Sequence, residues 1–83
     1  MPLYFFNVHD GAWEVDPEGM ELAGLESARH EAVRFMSELM RDRPAAFLNG
    51  HAWRLEVTDG GGSALLVLSL AVADGGTDEQ LPH

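Results

Sequence analysis

The chain of 83 residues contains no cysteine and no lysine. The first absence removes disulfides, a thiolate nucleophile and Cys-ligated zinc or iron–sulfur centres, and it leaves the redox compartment open. The second leaves five arginines against 14 acids, for a net charge of −9. Nucleic-acid binding rests on clustered cations that release counterions from phosphates, so this balance disfavours DNA and RNA as partners. Long apolar runs are missing as well. None approaches the roughly 18 residues of a membrane span, and the start Met1-Pro2-Leu3-Tyr4-Phe5-Phe6 has no basic segment of the kind that opens a secretory signal. The expectation is a cytoplasmic protein that does not enter a membrane.

What the chain does have is a near-repeat. Tyr4-Phe5-Phe6-Asn7-Val8-His9-Asp10-Gly11 and Trp53-Arg54-Leu55-Glu56-Val57-Thr58-Asp59-Gly60 both read aromatic, variable, apolar, polar, Val, polar, Asp, Gly. Period-two alternation puts Tyr4, Phe6 and Val8 on one face of a strand over 3–9, and Trp53, Leu55 and Val57 on one face of a strand over 52–58. Each Asp-Gly supplies a tight turn into a partner strand. The first partner is expected at 12–15, with Trp13 and Val15 turned to the core. The second is expected at 63–72, with Ala64, Leu66, Leu68, Leu70 and Val72 on one face and Leu65 and Val67 on the other. Asp16-Pro17-Glu18-Gly19 has the residues of a type I turn, a bend before Met20 to Leu22.

Between the hairpins, Leu25, Ala28, Ala32, Phe35, Met36 and Leu39 fall on one stripe at helical spacing, which predicts a helix over 25–42. Gly24 is a weak N-cap, and Pro44 stops the helix. The resulting fold class is α+β: a two-layer ββαββ unit over 1–73, with a four-stranded, mainly antiparallel sheet and one helix on one face. The strand order second, first, third, fourth keeps every pairing antiparallel. Phe6 and Trp53 are expected to pack on Leu25, Ala32, Phe35 and Leu39. Residues 74–83 are too polar to bury anything and form an acidic tail expected to be disordered.

The motifs Met1-Pro2-x-Tyr4-Phe5-Phe6, Asp10-Gly11, Glu18-Gly19-x-Glu21-Leu22 and Trp53-Arg54-Leu55-Glu56-Val57-x-Asp59 are similar to a family of short proteins of unknown function that is abundant in alphaproteobacteria such as rhizobia and methylobacteria. The resemblance spans about residues 1–72 and implies a small bacterial cytoplasmic protein. It implies no activity and no catalytic residue.

Chemistry-bearing patterns are sparse. The glycines 60–62 lead into a strand, whereas a phosphate cradle leads into a helix N-terminus. Asp16, Glu18 and Glu21 lack the alternating ligands of a calcium loop. The row His30, Arg34, Ser37 and Arg41 on the helix back reads as a solvated face with local pairs Arg34–Glu38 and Glu31–Arg34. His9, Asp10 and His51 could meet at one end of neighbouring strands and form a small-ligand or metal site. One helix covers one face of a sheet, which leaves Phe5, Leu65 and Val67 pointing away from it, with Arg54 and Glu56 beside them. These five residues are the candidate partner interface. The expectation is a non-enzymatic interaction or regulatory module without a cofactor, forming a homodimer or binding another protein. Metal or ligand binding through His9, Asp10 and His51 is one alternative, and an antitoxin-like binder of a partner protein is another.

Overall fold

The computed structural model describes residues 1–48 and 52–72. His51, His83 and the expected tail at 74–83 lie outside the described residues. In chain order the elements are β1 (Leu3–His9), β2 (Trp13–Glu14), β3 (Met20–Glu21), α1 (Leu25–Asp42), a 3-10 segment (Pro44–Leu48), β4 (Trp53–Thr58) and β5 (Ala64–Leu70). The architecture is α+β, one helix on an open antiparallel sheet of order β2-β1-β4-β5, with β3 also paired to β1. The two long hairpin strands meet in the middle, Phe6 opposite Val57 and Val8 opposite Leu55. β5 follows β4 antiparallel, Leu55 opposite Leu68, with a bulge at Val57/Thr58.

The edge of β1 away from β4 is broken into two short pairings. β2 covers Val8 and His9, and β3 covers Leu3 and Tyr4. In the gap between them the Phe6 N–H donates to Asp16 Oδ2 at 3.2 Å. The even residues of β1 all turn their amides to this edge, since Pro2 O likewise accepts from Leu22 N. Asp16 Oδ1 accepts from the N–H groups of Glu18 and Gly19, both at 3.1 Å, and closes the turn expected there. Gly19 sits at φ 76, and a Cβ on it would lie 2.9 Å from the Phe5 ring, so glycine fits for both reasons.

The helix boundaries match the periodicity, and its caps are backbone only: the Ala28 N–H donates to Gly24 O at 3.0 Å. α1 packs against β4 and β5. The core is Tyr4, Phe6 and Val8 from β1, Trp53, Leu55 and Val57 from β4, and Ala28, Ala32 and Met36 from the helix. Phe6 stacks on Phe35, centroids 6.3 Å apart.

Three expectations need correction. Trp13 and Val15 are not core residues: Trp13 is 48 % exposed, and Val15 is exposed too. The loop Asp10–Ala12 has three residues rather than two, so Trp13 pairs with His9 instead of Val8 and turns to the opposite face. Leu25, the first residue of α1, is 42 % exposed and takes no part in the core, which begins on the helix at Ala28. Trp53 instead meets Phe47 of the 3-10 segment, centroids 4.2 Å apart, and its indole N–H donates to Ala46 O at 3.3 Å. That segment lies past the helix stop at Pro44 and closes one end of the core.

Candidate functional site

The sheet face opposite α1 is built in rows by the ladder register. Trp13, His9, Arg54 and Ser69 make one row, Asn7, Glu56 and Val67 the next, and Phe5 and Thr58 a third. Among the described residues no element lies over this face. Of the candidate interface residues, Phe5, Arg54, Glu56 and Val67 lie in these rows, while Leu65 is the residue of β5 that the bulge leaves without a ladder partner. Phe5 is half-buried, its ring against Gly19, while Leu65 and Val67 are exposed. Arg54 and Glu56 pair with each other along β4 at 3.9 Å.

Near the rim of β2 and the β4–β5 turn this face holds a shallow groove of about 400 Å³, lined among others by Phe5, Asn7, Trp13, Glu56, Thr58 and Asp59. Its polar groups have structural duties. Asn7 Oδ1 accepts the Asp16 N–H at 2.9 Å, and its amide reaches Thr58 Oγ1 at 3.5 Å. Asp59 Oδ1 accepts from Gly61 and Ser63 and shapes the hairpin turn. Burial pushes the Asp16 carboxyl up, yet the N–H donors of Gly19, Glu18 and Phe6 together outweigh this and hold it below the ordinary 3.8.

Trp13 is the surface residue that sequence reasoning missed. The signal was the length of the Asp10–Ala12 loop: with Gly11 at φ 107 and Asp10 N–H donating to Ala12 O, three residues turn the chain. The Trp13 ring then rests on the His9 ring, centroids 4.8 Å apart. His9 and Asp10 sit at the end of β1 as expected, while their proposed partner His51 is outside the described residues. No group of three metal-ligating side chains occurs among the described residues. No helix among them is long and apolar enough to cross a membrane.

A second groove, about 460 Å³, runs between α1 and the interrupted edge of β1, over Phe6, Val8 and Phe35. Its rim is acidic except for Arg34, which lies between Glu31 and Glu38 and pairs with both. The Arg34 hydrogen bond holds the Glu31 carboxyl below its ordinary value. Arg29 pairs with Glu26 and Arg41 with Asp42. The helix back is thus laced with local pairs, Glu31–Arg34 and Arg34–Glu38 among them, and offers no surplus of cations for an acidic partner.

Fold and surface together define a one-helix α+β domain with an open sheet face. The chain belongs to the family described as a domain of unknown function, DUF6894, whose model matches residues 3–71. Comparison with curated proteins and with solved structures gives no match.

Proposed function

We propose that the protein is a small non-enzymatic interaction module that works as a homodimer. The observation that carries this reading is the one-sided cover of the sheet: α1 buries Ala28, Ala32 and Met36 on one face, while Leu65, Val67 and Trp13 remain at the surface of the other. At this length a single core is marginal, and a second copy supplies the missing apolar burial at no cost in new sequence. The groove supports the non-enzymatic part. Asn7, Asp16 and Asp59 hold backbone donors, so these side chains are committed to the fold.

Sedimentation velocity tests the reading. Val67 is 49 % exposed, so Val67→Glu leaves the fold intact and raises the monomer fraction. A wild-type protein that sediments as a monomer at high micromolar concentration refutes self-association.

A further inference from the structure

We infer that the two copies join through the free edge of β5, antiparallel about a twofold axis at Val67, so that one continuous sheet runs through the dimer. This rests on the homodimer reading and names its contact. The two edges of the sheet are treated in opposite ways. The β1 edge is split between two two-residue strands, and its remaining amide is held by the Asp16 carboxylate. Such interruption blocks pairing with another chain. β5 has neither of these guards, and its one irregularity is the bulge at Leu65. It is seven residues long, with no proline, no charge and no glycine, and among the described residues nothing pairs with its outer side.

The hydrogen-bonding phase fixes which groups are on offer. Because Phe6 turns its N–H away from β4, the odd residues of β1 bond to the even residues of β4, and Trp53, Leu55 and Val57 bond to Leu70, Leu68 and Leu66. The outward groups of β5 are therefore those of Leu65, Val67 and Ser69. Antiparallel pairing centred on Val67 places Val67 opposite itself and Ser69 opposite Leu65 of the second copy, where the bulge lies, and satisfies the donor and acceptor of Val67 within regular strand.

Charge selects the occupant. Residues 60–73 are the longest uncharged run in a chain of net charge −9, so this is where two like-charged copies repel least. A basic partner would find no carboxylate on β5 to pair with. Apolar surface extends the contact on the helix side. Glu31, Phe35 and Glu38 face the groove at the β1 edge. Val33, 52 % exposed, and Met40, 39 % exposed, lie on the opposite shoulder of α1, towards β5. Pairing the edges brings this shoulder of each helix to its symmetry mate, over the half-buried Leu66, Leu68 and Leu70.

Amide hydrogen exchange at about 5 and about 500 µM reads the edge directly, because concentration shifts only the dimer equilibrium. The expected result is that the Leu65, Val67 and Ser69 amides become at least about tenfold more protected in the concentrated sample. A double variant, Val33→Glu with Met40→Glu, should keep the fold and raise the dissociation constant about tenfold or more through like charges at the dyad. A dimer whose β5 amides stay unprotected, and which the double variant leaves intact, overturns edge pairing and leaves the homodimer reading standing on the open face. Protection already complete in a dilute monomer assigns the edge to another segment of the same chain and overturns the inference. A monomer at both concentrations removes edge pairing and homodimer together.

Discussion

Removing the Asp16 carboxylate should destabilise the domain far more than a partly exposed loop acid ordinarily would. One side chain accepts from three backbone donors: Phe6 N–H at 3.2 Å, and Glu18 and Gly19 N–H at 3.1 Å. In Asp16→Ala the two turn donors recover water, a loss comparable to a helix cap, about 1 kcal/mol. The Phe6 donor sits in the gap between β2 and β3, and leaving it unpaired costs about 1–2 kcal/mol more. The sum is about 2–3 kcal/mol, a large part of the stability of a domain this size. At a urea dependence of about 1 kcal/mol per molar, the midpoint should fall by about 2 M or more. Asp16→Asn keeps one acceptor oxygen and should lose about half as much. The pH dependence follows from the direction of the shift. Asp16 titrates below its unfolded value of 3.8, so its contribution is complete above that value and is lost as pH falls through the folded one. The difference between parent and Asp16→Asn should therefore narrow below about pH 4. Urea denaturation followed by tryptophan fluorescence across that range measures both. An Asp16→Ala midpoint within about 0.3 M of the parent would show that the carboxylate holds nothing together.

Trp53 is 2 % exposed and stacked on Phe47, so Trp53→Ala should cost about 3–5 kcal/mol; a thermal melt close to that of the parent would place it outside the core. Trp13→Ala should cost only about 1 kcal/mol, since half of the ring is in solvent; a loss equal to that of Trp53 would put it in the core after all. Gly19→Ala forces a Cβ against the Phe5 ring at positive φ and should cost about 1–2 kcal/mol by chemical denaturation, whereas an unchanged midpoint would mean that the turn adapts freely.

The periodicities determined which residues form strands and helix. Alternation in Tyr4-Phe5-Phe6-Asn7-Val8 and in Trp53-Arg54-Leu55-Glu56-Val57 assigned each side chain a face, because the strand period admits two directions only. The stripe from Ala28 to Leu39 placed α1 residue for residue, while the order β2-β1-β4-β5, which antiparallel pairing favours but does not fix, is given by the tertiary structure. Phe5, Arg54, Glu56 and Val67 share a face because of that strand alternation, while the bulge takes Leu65 out of the ladder. Tertiary structure decided matters that depend on one residue of loop length or on contacts distant in sequence. Whether Trp13 faces the core turns on a three-residue rather than a two-residue hairpin loop, and both are compatible with Asp-Gly. Phe47 in a 3-10 turn carries no periodicity, so its stacking on Trp53 appears only when the chain after Pro44 folds back over the sheet. Asp16 reads locally as a turn residue, and only the approach of that turn to β1 gives its carboxylate the Phe6 amide and makes it the guard of one edge. Local pattern fixes direction, because it depends on the chain's own geometry; register and edge protection depend on which segments come to lie beside one another, and that is settled by packing.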